Sequence, residues 1–291
     1  MSSHHQQIVG LIEGWLSSRL DATQSTWVTE RKAAVQSGDK KALFLAFGLT
    51  PRKVGKADLA LSADDLTAAN SVRPGWKPQG WTVDQIVRTL FVLVYPSQDT
   101  TAYVDTLNQL FDAGEVGELV ALYQALPLLP NPASHVLRAA EGIRTNIKAV
   151  FCAVAHQNPF PAEQFSEDQW NQMVLKCQFI GVPMSPIEGL DQRANGPLSR
   201  MVSDFIHERW AAHRTVAPEM WRCIGRFADD KALDDLKQVL ATGAEPDKQA
   251  AALALSECPA PAAKQILATS PNLAQQVTNG SITWQTIAQS T

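Results

Sequence analysis

Apolar residues recur along this chain at steps of three and four, the spacing of one helix face. Ile8, Leu11, Ile12, Trp15 and Leu16 mark a first amphipathic helix. A second covers residues 25–36 and stops at Ser37-Gly38-Asp39, where Asp39 caps a short third helix over 40–47. Pro51 predicts a loop over 50–56. Ser62 and Asp65 form a capping-box start for a helix reaching Ser71. Residues 73–81 hold two prolines, two glycines and two tryptophans, which predicts a loop pinned to the body by its indoles. Thr82 caps a helix to Tyr95, Asp99 opens one to Ala113, and after Gly114 another spans 116–125.

A rigid connector from Pro127 to Pro132 leads into the longest expected helix, residues 134–156. Val136, Ala140, Ile143, Ile147, Val150 and Val154 lie there on one stripe at the 3.6-residue period. Further helices are expected over 166–179 and 197–213, with an irregular Pro- and Gly-containing stretch between them, and Pro218 opens another at its first turn. The tail is different: 229–241, 245–257, 261–268 and 271–278 read as short Ala- and Leu-rich helices. Ala250-Ala251-Ala252-Leu253-Ala254-Leu255 reads like the second helix of a HEAT-type pair, where small side chains allow close stacking. No segment alternates apolar with polar. The expected fold is all-α, a multi-helical array that is solenoid-like in its C-terminal part, with little or no sheet.

Composition narrows the function classes. The 291 residues are 45% hydrophobic and 19% charged, enough apolar material for a sizeable core. A net charge of -4 without a basic patch argues against a dedicated nucleic-acid binder. Eight tryptophans against three tyrosines read as core wedges, because the indole usually buries most of its ring. Cys152, Cys177, Cys223 and Cys258 are far apart, which excludes a zinc ribbon and leaves them as small buried hydrophobes. Residues 1–10 are polar and do not read as a secretory signal. No apolar run approaches the roughly 18 residues that span a bilayer. The expected location is cytoplasmic.

Candidate chemistry is sparse. His207-Glu208 begins like a zincin motif, but position 211 is Ala, so no metal site is expected there. Arg200, Asp204, His207 and Glu208 share one helical face, where a His beside a carboxylate could act as acid or base. The plainer reading is a solvated face laced by i,i+4 pairs. Glu141 can pair with Arg138 or Arg144, and Asn146 flanks the apolar stripe at a helix contact. Asn171 and Lys176 offer an amide and an amine, and Asp191, Arg193 and Asn195 lie in the loop before residue 197, with Asn195 placed as a helix cap. Phosphate-binding glycine loops and a Gly-x-Ser-x-Gly elbow are missing, and no cofactor is expected.

Longer landmarks carry a resemblance. They begin with Arg73-Pro74-Gly75-Trp76, Trp81 and Asp84-Gln85. They continue through Val116-Gly117-Glu118-Leu119 and Ala125-Leu126-Pro127-Leu128-Leu129-Pro130 to Arg138-Ala139-Ala140-Glu141-Gly142-Ile143-Arg144-Thr145-Asn146. Trp170-Asn171-Gln172, Gly189-Leu190-Asp191, Arg193-Ala194-Asn195 and His207-Glu208-Arg209-Trp210 complete the set. The chain resembles the EboA family, the metabolite-traffic proteins of bacterial ebo gene clusters, from about Trp27 to Phe227. This divides it into an EboA-like helical domain, 1–227, and an Ala-rich extension, 228–291, packed on it. The resemblance implies a role in making or moving a small secondary metabolite, including export of a precursor toward the periplasm. It supplies no catalytic residues.

The expected function is therefore a helical adaptor or small-molecule-binding protein, whose partners are the metabolite, other proteins of the same gene cluster, or both. The alternative is an enzyme of small-molecule metabolism with a polar pocket built from Glu141, Arg144, Asn171, Lys176, Asp191, Arg193, His207 and Glu208.

Overall fold

The computed structural model describes residues 3–290, so Met1, Ser2 and Thr291 lie outside the account that follows. Among the described residues the fold is all-α. The one strand-like feature is an isolated antiparallel bridge between Asp58 and Thr82. The chain divides into two compact units, Met1–Phe165 and Ser166–Thr291.

The first unit contains α1 (Ser3–Ser17), α2 (Ala22–Gln36), α3 (Lys40–Val54), α4 (Ala63–Val72), α5 (Val83–Val94), α6 (Thr100–Ala113), α7 (Val116–Ala125), α8 (Val136–Arg144), α9 (Lys148–Ala155) and the short α10 (Phe160–Gln164). Its core forms around α5, which packs against α1, α2, α3 and α7. Apolar residues occupy every side of α5, so all of its positions except Gln85 are buried. The first turn of α1 carries His5 inward, where its Nε2–H donates to the Leu93 carbonyl at 2.8 Å.

Two charged residues are carried inside with α5. Asp84 and Arg88 are each 4% exposed, and charges so placed need partners on all sides. Arg88 donates to Asp84 at 2.8 Å, lies 3.9 Å from Glu118, and donates through Nε to the Phe47 carbonyl at 3.0 Å. That carbonyl is available because of Pro51. The expected loop at 50–56 is instead helix as far as Val54, with Pro51 inside α3. Proline has no N–H to give to the residue four before it, which is Phe47. The side chain of Arg88 supplies the missing donor, and its guanidinium also lies 5.4 Å from the centre of the Phe47 ring.

The long helix expected over 134–156 is two helices, α8 and α9, separated at residues 145–147. Thr145 Oγ1 accepts from the Ile147 amide at 3.1 Å and turns the chain. The helices then fold against each other at Gly142, where a Cβ would stand 2.7 Å from both Tyr123 and Val154. Only a residue without a side chain permits that approach. Ile147 and Asn146 leave the expected stripe and are exposed.

The second unit contains α11 (Glu167–Ile180), α12 (Gly196–Ala211), α13 (Asp230–Thr242), α14 (Glu245–Glu257), α15 (Pro261–Ala268), α16 (Pro271–Thr278) and α17 (Trp284–Ser290). The helix opened by Pro218 is of the tighter 3-10 kind, Pro218–Cys223, followed by a second such turn, Gly225–Phe227. Here α14 is the centre: α13, α15, α16, α17 and both 3-10 segments pack on it. Its run from Ala250 to Leu255 is wholly buried. Small side chains let neighbours come close, and a Cβ on Gly225 would meet the Ala254 carbonyl oxygen at 2.6 Å. The last helix, α17, was not expected from the sequence; Trp284 Nε1–H ties it to Glu257 at 2.7 Å. Among the described residues no helix is long and apolar enough to cross a membrane.

Candidate functional site

A cleft of the second unit is built at the end of α12. That helix terminates without glycine. His213 takes the left-handed conformation, φ 54°, which His tolerates better than most residues. The amide of Arg214 then donates to the Arg209 carbonyl at 2.9 Å and that of His213 to Trp210 at 3.0 Å, closing a Schellman motif. The Arg209 guanidinium adds two bonds to the Thr215 carbonyl, at 3.0 and 2.8 Å. The turn is thus fixed, and it lays Thr215 and Val216 between two openings.

The first opening has a volume of about 200 Å³. The half-buried indole of Trp210 lines it and packs on that of Trp221, which is 1% exposed, with centroids 6.0 Å apart and planes inclined at 40°. Gln238, Val239 and Thr242 of α13 face them, and Asp247 of α14 completes the lining. Gly243 makes this turn possible, since a Cβ there would stand 2.7 Å from the Val239 carbonyl oxygen and 3.0 Å from Asp247. Burial raises the pKa of the Asp247 carboxyl, although the Ala244 amide donates to it and opposes the shift. The second opening, about 330 Å³, shares Thr215 and Val216 and is lined also by Gln178, Phe205, Arg209 and Met220.

Behind Trp210 stands His207. Its ring centroid is 5.4 Å from that of Trp210, and its Nε2–H donates to Asp235 at 2.7 Å. The carboxylate partner of His207 therefore comes from α13 and not from its own helix face, where Glu208 is exposed and Asp204 lies 3.6 Å from Lys231.

Of the other expected residues, Asn171, Asn195, Arg193, Asp191 and Glu141 have structural partners of their own. Asn171 is buried and exchanges two amide bonds with Asn195, at 3.1 and 2.8 Å. Asn195 also caps α12 through the Leu198 amide, as the sequence suggested. Arg193 lies 5.0 Å over the Trp170 ring. Asp191 takes both bonds of a fork from Arg222 at 2.7 Å, and this pairing holds its carboxyl below the ordinary value. Lys176 is half-buried, which lowers its amine pKa. In the first unit Glu141 accepts from Arg138 at 2.8 Å. Arg144 and Asn146 are exposed, the latter in the break between α8 and α9 and not at a helix contact.

A description, metabolite traffic protein EboA, covers residues 8–225 of the chain, well over half of it. The chain belongs to the EboA family. The matched region reaches further toward the N-terminus than the landmark motifs alone and includes α1, α12 and the paired indoles of Trp210 and Trp221. Asp247 and the facing residues of α13 lie beyond it. No curated protein and no solved structure matches the chain.

The sequence did not single out Trp210, Trp221 or Asp247. Most tryptophans are core wedges as expected, but Trp210 is half-buried and lines an opening. The available signal was the pair of indoles flanking Thr215-Val216-Ala217-Pro218, a stretch with no helical period.

Proposed function

We propose that this protein binds a small metabolite and carries or presents it within a bacterial secondary-metabolite pathway, working in the cytoplasm and without transforming its cargo. Other proteins of the same gene cluster are its proposed partners. The observation that carries this reading is the cleft between α12, the segment after it, α13 and α14: preformed, lined by the Trp210 ring and by Val216 and Val239, with polar side chains from Thr215, Gln238, Thr242 and Asp247. Such a lining grips an apolar body and orients it at one or two points. The family description, which speaks of metabolite traffic, supports the same reading. We keep the division at residue 227 as one of ancestry, with 228–291 an extension that completes the cleft.

A second reading, an enzyme of small-molecule metabolism, draws on the His207–Asp235 pair, which is arranged as an acid–base couple against the wall of the cleft. Native mass spectrometry on protein purified gently from its own host separates the readings. A carrier shows an added mass of small-molecule size that persists unchanged on incubation and is lost in Trp210→Ala. An enzyme shows that mass converted with time, and conversion stops in His207→Gln while binding remains. A protein subunit in place of any small molecule would identify an adaptor and overturn both.

A further inference from the structure

Resting on the reading of this cleft as a ligand site, we propose that its ligand is a small organic cation, an amine attached to a flat apolar ring, with Asp247 as the counter-charge and Trp210 as the surface on which it lies.

The inference starts from what the lining contains. Asp247 is the one residue that ionises among the nine that line the first opening. A carboxylate in a cleft lined by an accessible indole calls for positive charge on the ligand, for two independent reasons. A cation over an indole face gains from the negative charge of the ring system, more so when water is excluded. Beyond the one bond from the Ala244 amide, the half-buried Asp247 carboxylate keeps acceptor capacity that a hydrogen-bonding cation fills. Burial already disfavours the ionised form of Asp247. An ammonium in the cleft reverses that disfavour, whereas an anionic ligand adds to it.

Geometry sets the shape. The two ring centroids are 6.0 Å apart. Inserting a third ring between them would need about 7 Å, twice the contact distance of about 3.5 Å between carbon atoms. The ligand ring therefore does not stack between the indoles. Trp221 is 1% exposed and offers the cleft almost no ring surface, so the ligand ring lies against Trp210, in the opening that Val216, Gln238, Val239 and Thr242 also line. A volume of about 200 Å³ is small for a ligand cleft and holds one ring system with a short arm. The neighbouring opening does not suit the cation, because Arg209 lines it. The positive end is thereby directed to Asp247.

The test uses three soluble probes that differ mainly in charge: 2-phenylethylamine, 2-phenylethanol and phenylacetate. Binding to the full chain is followed by the indole N–H resonances of its tryptophans, assigned for Trp210 and Trp221 by single replacement with Phe. The amine is expected to shift both resonances and to bind at least tenfold more tightly than phenylacetate. Asp247→Asn is expected to bring the amine down to the affinity of the alcohol while leaving the alcohol's shifts in place, which also shows that the variant is folded. Equal binding of amine and carboxylate, or a preference for the amine that survives in Asp247→Asn, overturns the cation while the cleft stands. If none of the three moves the Trp210 or Trp221 resonance, the cleft itself is not a ligand site and both proposals fall.

Discussion

The two units bury their central helices by opposite means. In α5 the residues are large, and the helix brings Asp84 and Arg88 into the interior with it. In α14 they are small: Ala250, Ala251, Ala252 and Ala254 allow the surrounding segments to approach the backbone itself. The first solution concentrates specificity in a few polar bonds, because a buried charge without its partner is very costly. The second distributes it over close contacts with small apolar residues, the bond from Trp284 to Glu257 at the end of α14 being a charged addition. The difference bears on function as well. The polar side chains around α5 are spent on carbonyls and carboxylates of their own unit, whereas the turn that opens α14 leaves a carboxyl facing an open cleft.

The comparison breaks most sharply at Arg88. Arg88→Ala leaves Asp84 buried and the Phe47 carbonyl without a donor, and is expected to cost about 3–5 kcal/mol, read by denaturant unfolding. An equally sized loss in a variant of an exposed residue such as Arg144→Ala would show that burial of charge is not what matters. Around α14 the corresponding change is steric. Gly225→Ala sets a methyl group against backbone, not against a flexible side chain. Its expected cost is about 1–3 kcal/mol, with no dependence on pH. A neutral result would mean that the 3-10 turn Gly225–Phe227 shifts freely and that close contact does not specify this unit.

The smallest effect is expected at Asp191, whose fork with Arg222 is partly open to water. Asp191→Asn should cost no more than about 1 kcal/mol, since solvent screens such pairs. The sign with pH follows from the depressed carboxyl. Its contribution is complete above 3.8, the ordinary value, and disappears as pH falls through the lower folded-state value. Wild type and variant should therefore converge in acid and separate again toward neutrality; a gap that widens on acidification would contradict the pairing.

What could be read from the sequence depended on distance along the chain. Asp39, Ser62 and Asn195 cap helices as expected, because a cap is decided by atoms two or three residues away. The all-α class was equally legible from periodicity. The break at 145–147 was not, since the apolar stripe runs through it unbroken and the decision rests on Tyr123 and Val154 meeting at Gly142. Pro51 was misjudged for the same reason: its remedy comes from Arg88. Among the candidate site residues, Asp191 and His207 take partners from other elements, Arg222 and Asp235, which spacing along the chain does not reveal. The indole pair was hidden because its two rings meet only after a glycine-free turn closes at His213.

Pro51 and Arg88 also bind the history of two distant positions together. Any residue other than proline at 51 would return an amide to the Phe47 carbonyl, whose two lone pairs would then serve both that amide and the Arg88 Nε. Any residue at 88 unable to reach that carbonyl would leave the proline as an uncorrected fault. The dependence therefore runs one way: the proline needs the arginine, and position 88 is the more constrained of the two.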